Sequence, residues 1–191
     1  EDEFALSPEQ AALFSHEGEP TCMQGFFQAV VGQFATHELA VNTFKTGEGR
    51  AWDDHHSCCF CGTDRFFRPG YAASLPSDWI PALTGVEAKL QVGAKIADVG
   101  CGLGSSSILM ASDYPNSIVC GFDYHLSSIE KAIQSAHREK LTNISFSQVL
   151  ARELPGNDYD LVCIFDALHD MGDPVGAAKR IKSVLKPGGT F

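Results

Sequence analysis

The 191-residue sequence predicts an α/β protein, a doubly wound parallel sheet preceded by an N-terminal helical segment. Three observations predict it. The second half alternates short, β-branched apolar runs with stretches of helical periodicity. A bare glycine turn, "ADVGCGLGSSS" (97–107), joins the first of those runs to a helix. The first half is aromatic-rich and lacks the alternation. The change of pattern near Gly85 divides the chain into a helical N-terminal or lid segment, 1–85, and a sheet domain, 86–191.

In the first segment, Ser7-Pro8-Glu9-Gln10 reads as a helix start: Ser7 is the N-cap, Pro8 the first helical residue, and Gln10 completes a capping box. That helix ends by Gly18. A longer helix is expected over 22–44, where Phe26, Phe27, Val30, Phe34 and Leu39 fall roughly on one face before Gly47 and Gly49 break the pattern. Such a face needs a partner surface.

In the second segment the expected order is strand 95–99, helix 105–113, strand 118–122, helix 127–141, strands 144–149 and 159–165, and helix 174–185. Ser127 and Glu130 are placed to open the second of these helices as a capping box, and Lys186-Pro187-Gly188-Gly189 closes the last. Apolar strands joined by helical crossovers make a parallel sheet. The sequence stops at "LKPGGTF", where another strand should begin, so the apolar "DLVCIF" strand (160–165) is expected at an open sheet edge. The chain is therefore expected to be a fragment, or to have that edge covered by another chain, as in a homodimer.

Lys and Arg total 14 against 24 Asp and Glu, a net charge of −10 with no basic stripe, which argues against nucleic acid as a partner. Neither a signal peptide nor an apolar run of membrane-spanning length is present, so a cytoplasmic protein is expected. The seven cysteines read as reduced thiols, three of them in or beside strands as small buried hydrophobes.

The glycine turn between a strand and a helix N-terminus is a ligand cradle. Gly100, Gly102 and Gly104 form G-x-G-x-G, whereas a dinucleotide fingerprint needs glycine where Ser105 stands. A carboxylate just before the loop, Asp98, opposes a pyrophosphate but suits a ligand that ends in an ammonium group. S-adenosylmethionine ends that way, in an amino acid joined through a sulfonium to adenosine. In "VCGFDYH", Asp123 ends the second strand, where a carboxylate accepts hydrogen bonds from ribose hydroxyls, and Tyr124 stands ready to pack on adenine.

The pieces "ADVGCGLGSSS", "VCGFDYH", "DYDLVCIFDALHDM" and "LKPGGTF", in that order, resemble a class I S-adenosylmethionine-dependent methyltransferase from about residue 86 onward. With "TDRFFRPGYAASLPSDWIPAL" added, the chain is similar to a bacterial group of methyltransferases that carry a winged helix before a helical linker, some described as transcriptional regulators. The resemblance implies a Rossmann-like sheet ordered 3-2-1-4-5-7-6, of which this sequence supplies four strands and the start of a fifth. It also implies a winged helix ahead of "FALSPEQAALF", so truncation at both ends is expected.

Carried over by residue, it puts Asp98 and the backbone of Gly100, Cys101, Gly102 and Gly104 around the methionine part, Asp123 on the ribose and Tyr124 on the adenine side. Asp166 and Ala167, after the fourth strand, touch the methionine part or line the reaction site. An acidic residue common near "VLARELP" is replaced by Leu150, leaving a backbone group or Arg152 to meet the adenine amine.

The expected activity is methyl transfer from S-adenosylmethionine to a small-molecule acceptor. The alternatives are a regulatory protein that senses S-adenosylmethionine without turnover, and a nicotinamide-dependent oxidoreductase. His169 reads either as a general base or as a loop histidine fixed by a backbone hydrogen bond, and Asp170 and Asp173 as loop-capping acids. The cluster His55, His56, Cys58, Cys59 and Cys61 lacks the second ligand pair of a zinc site and any visible helix to head, so it reads as a cover with a histidine facing substrate. Phe66, Phe67 and Tyr71 read as a lid or as core packing, and Arg68 as a partner for a substrate carboxylate.

Overall fold

The computed structural model describes residues 3–191, in two compact units that divide between residues 73 and 74. The division falls ahead of Gly85, because the wide π turn Leu75–Trp79 and the short helix α5 (Ile80–Ala82) pack with elements of the second unit.

The first unit is helical. α1 (Pro8–Phe14) starts on the expected capping box, the Ser7 amide donating to Gln10 Oε1 at 2.9 Å and the Gln10 amide to Ser7 Oγ at 3.3 Å. The expected 22–44 helix is two helices, α2 (Gln24–Ala35) and α3 (His37–Thr46). The break is Thr36, whose amide turns back to the Gln33 carbonyl, while its hydroxyl donates to the Gly32 carbonyl and accepts from Arg50. Phe26, Phe27, Phe34 and Leu39 stay exposed, and α2 meets α4 (Ser57–Ser74) through glycines instead. A Cβ on Gly62 would stand 2.3 Å from the Ala29 nitrogen, and one on Gly25 2.3 Å from the Phe66 nitrogen. Backbones this close admit no side chain.

The second unit carries, after α5, α6 (Val86–Val92), β1 (Lys95–Val99), α7 (Ser105–Asp113), β2 (Ile118–Asp123), α8 (Leu126–Arg138), β3 (Ile144–Gln148), β4 (Tyr159–Cys163), α9 (Pro174–Val184) and β5 (Leu185–Thr190). All five strands are parallel, in the order β3-β2-β1-β4-β5. β1 is central, with Asp98 beside Gly121 of β2 and Cys163 of β4. Ala97, Val99, Phe122, Val162 and Tyr159 from the sheet bury against Ile181 and Val184 of α9 and Leu154. This is a Rossmann-like α/β fold.

Two expectations fail here. β4 is not an edge strand: β5 pairs with it, irregularly, through Tyr159 with Leu185 and Leu161 with Thr190, so the open edge that motivated a homodimer is filled by the same chain. α8 does not begin on Ser127. It starts one residue earlier behind His125, whose amide is held by Asp123 Oδ1 at 2.9 Å and whose ring meets Ser128 Oγ at 2.8 Å. No helix among the described residues is long and apolar enough to cross a membrane.

Candidate functional site

From β1 the chain crosses to β2 and β3 on one side, then returns to β4 and β5 on the other. The strand order therefore reverses between β1 and β4, and open sheets take their ligands beyond the C-terminal ends of the strands at such a switch. Every candidate in the second unit sits on this end of the sheet, Asp98 and Asp123 in the last residues of β1 and β2 and the others in the loops after β1, β2, β3 and β4.

The loop after β1 is locked by its own bonds. The amides of Gly100 and Cys101 both donate to the Phe122 carbonyl, at 2.7 and 3.0 Å, and the Gly104 amide to the Cys101 carbonyl at 2.9 Å. The Gly102 amide donates to Asp123 Oδ2 at 2.9 Å. Gly100 turns at φ 75°, and a Cβ there would press to 2.8 Å from the Ala167 Cβ, which ties the first loop to the one after β4. At Gly102, φ 53°, an added Cβ would meet nothing within 4 Å, so this is where the loop faces open space.

Asp98 is the electrostatic centre. It is 1% exposed, and Ser106 Oγ and Ser107 Oγ both donate to its Oδ2 at 2.6 Å. Its other oxygen, Oδ1, is buried without a partner among the described residues. Burial pushes the carboxyl up to about 6 from 3.8, against the two serine hydroxyls and with help from the nearby charge of Asp123. Burial likewise holds the thiols of Cys101 and Cys163 well above their ordinary value. An orphaned carboxylate oxygen next to an open glycine is a socket for a cation that also donates hydrogen bonds.

Asp123 is 9% exposed and uses one oxygen to hold Gly102 and the other to hold His125, which couples the glycine loop to the start of α8. Each oxygen retains a lone pair for a further donor. Tyr124 follows, about one-third exposed, its carbonyl accepting from Gln148 at 2.9 Å. After β4, Asp166 adopts φ 51°, a left-handed conformation that an aspartate holds only at a cost. His169 lies on the next turn, mostly exposed, its ring nitrogens 3.7 Å from Asp166 and 3.5 Å from Asp170. Asp173 caps α9, accepting the Gly176 amide at 2.8 Å, whereas Asp170 turns to His169. Leu150 is exposed, and Arg152 lies 3.4 Å from Glu153.

The candidates of the first unit are engaged inside that unit. His55 Nδ1 lies 3.0 Å from the Trp52 carbonyl with its ring against Trp52, and His56 Nδ1 accepts the Cys58 amide at 3.1 Å. Cys58, Cys59 and Cys61 open α4, a helix hidden in the sequence, and Gln33 reaches the Cys59 sulfur at 3.4 Å. Phe66 packs with Phe26 and Phe67, Phe67 stacks on Tyr71, and Arg68 pairs with Asp64 at 3.7 Å. Among the described residues no group of three His, Cys, Asp or Glu is placed to hold a metal.

Ser106 and Ser107 are the functional side chains that sequence reasoning missed. A signal was present: in "GSSS" three hydroxyls sit in the first turn of the helix that follows a strand with an acid next to its end, although nothing in it singles out Ser106 and Ser107 from Ser105.

Fold and site together define an open parallel α/β domain with a glycine turn and two buried carboxylates at the C-terminal end of its sheet. The chain belongs to the family described as "Methyltransferase domain", whose model matches residues 90–191, more than half of the chain. A sterol 24-C-methyltransferase from Aspergillus fumigatus is 28% identical over 81% of this chain and 39% of its own. A ubiquinone biosynthesis O-methyltransferase from Acinetobacter baylyi is 29% identical over 76% of this chain and 57% of its own. The chain thus spans about two-fifths to under three-fifths of these relatives' length. The crystal structure of a SAM-dependent methyltransferase from Thiobacillus denitrificans in complex with S-adenosyl-L-homocysteine superposes with a TM-score of 0.51. It is 24% identical and covers 63% of this chain and 46% of that one, a likeness of fold.

Proposed function

We propose that the second unit binds S-adenosylmethionine and belongs to an enzyme that transfers its methyl group to a small-molecule acceptor. The observation that carries this is the buried Asp98 Oδ1, a carboxylate oxygen without a partner beside a glycine turn, which fits the cofactor's ammonium group. Asp98 would hold that group. Asp123, with lone pairs left over from its two amide bonds, would take ribose hydroxyls, and Tyr124 would lie on the adenine side. Asp166 and Ala167 would close on the methionine part from the β4 side.

When bound, the cofactor supplies a methyl already activated by its sulfonium, so the protein's task is to orient an acceptor and exclude water. His169 would serve as the general base for an oxygen or nitrogen acceptor; its ring nitrogens lie 3.7 Å from Asp166 and 3.5 Å from Asp170, so the nitrogen that takes the proton would have to turn from its carboxylate. The relatives act on different molecules by their names, so acceptor identity is left to direct screening. The seven cysteines, all thiols, fit a reducing compartment, and we assign the protein to the cytoplasm.

The test is calorimetric titration of the purified chain with S-adenosylmethionine, S-adenosylhomocysteine and NAD. Binding of the first two and not of NAD is expected, with affinity falling at least about tenfold in Asp98→Ala, the worth of one hydrogen bond to a charged group. Binding of NAD alone would replace this reading with an oxidoreductase.

A further inference from the structure

Asp98 has two oxygens in unequal surroundings. Ser106 and Ser107, consecutive residues in the first turn of α7, both send their hydroxyls to Oδ2, at 2.6 Å each. Neither serves Oδ1, although both serines are buried, at 4% and 0% exposed, and no described residue does so in their place. Two donors on one oxygen and none on its twin is a poor way to bury a carboxylate for stability alone, since one donor on each would satisfy both.

We propose that Ser106 and Ser107 are positioning residues: they fix the Asp98 carboxylate by one oxygen so that the other is kept for the ligand's ammonium group. The proposal rests on the function proposed above, and adds to it how α7 tunes the acid of β1. The two hydroxyls also favour the ionised carboxylate against the burial and the negative charge of Asp123 at the end of β2 that oppose it, while the buried thiols of Cys101 in the loop and Cys163 on β4 stay neutral. Without them the carboxylate would rotate freely and hold its proton to higher pH, and both changes weaken a contact to a cation.

The experiment pairs two ligands with two proteins, as a double-mutant cycle does. S-adenosylhomocysteine is compared with its deaminated analogue, in which hydrogen replaces the ammonium, on the unaltered chain and on S106A/S107A. On the unaltered chain the deaminated ligand should bind at least about tenfold more weakly. On the double variant that gap should close to within about threefold, because the ammonium no longer finds a fixed carboxylate. A purely structural role for the serines would weaken both ligands together and leave the gap open, which would overturn the proposal. So would an unchanged affinity for S-adenosylhomocysteine. The single variants S106A and S107A, each keeping one donor, should close the gap part way and guard against loss of fold in the double variant. Failure of the unaltered chain to bind either ligand would instead sink the cofactor assignment, and this proposal with it.

Discussion

Asp98 shows what a binding residue costs a fold. The folded protein holds its proton to about pH 6, the unfolded chain only to 3.8. Between those values the folded state binds more protons, so this group's stabilising contribution is complete below 3.8 and is lost as pH rises through 6. A shift of this size corresponds to about 3 kcal/mol at neutral pH. Asp98→Asn keeps the shape and still accepts from both serines, so it should stabilise the chain at pH 7 by up to about 3 kcal/mol and lose that advantage by pH 4. Chemical denaturation of both proteins at the two pH values measures this, and equal stabilities throughout would refute it. The same variant should bind S-adenosylhomocysteine more weakly, a trade of stability against function located in one side chain. Asp166 makes a similar bargain in its backbone, an acid where glycine would be relaxed.

The helices of the first unit obey a different constraint, close approach of backbones. Gly62 and Gly70 lie on the same helix, α4, but a Cβ on Gly62 collides with α2 while one on Gly70 meets nothing within 4 Å. Gly62→Ala should destabilise the unit by about 2 kcal/mol or more, through overpacking. Gly70→Ala should be neutral or stabilising by up to about 1 kcal/mol, through helix propensity. Urea unfolding of the two variants discriminates them, and equal effects would show that α2 and α4 do not pack as described. This contrast also explains what the sequence concealed. Gly62, Pro69 and Gly70 look like helix breakers, so α4 was unreadable, and the aromatic run from Phe26 to Leu39 hides the break at Thr36 because hydrophobic spacing continues across it. In the second unit, apolar strands bounded by Gly and Pro are legible almost to the residue: β1 and α7 begin and end where periodicity places them. β5 was foreseen only as the start of a fifth strand, its residues being assigned to a turn because Lys186-Pro187-Gly188-Gly189 reads as one, and its pairing with β4 is correspondingly irregular.

At the scale of the whole molecule, the candidate residues of the second unit gather at one end of one sheet. The sheet order came only from the family resemblance, but the carboxylates at its C-terminal end were open to inspection in the sequence, since Asp98 and Asp123 stand in the last two residues of their strands. The roles of Ser106 and Ser107 were not, because which oxygen a hydroxyl meets is a fact of three dimensions. A fold of this kind hosts many reactions, so acceptor choice must come from parts that vary around the constant cradle. One feature of that cradle bears on how fast and how tightly it works. The amides of Gly100, Cys101, Gly102 and Gly104 are all bonded within the protein. In hydrogen–deuterium exchange of the unliganded chain they should be protected like sheet amides, and added ligand should slow them little further. Rapid exchange at all four would contradict this. Such protection would mean a loop with little ordering entropy left to surrender on binding, a finished mould rather than one that sets around its ligand.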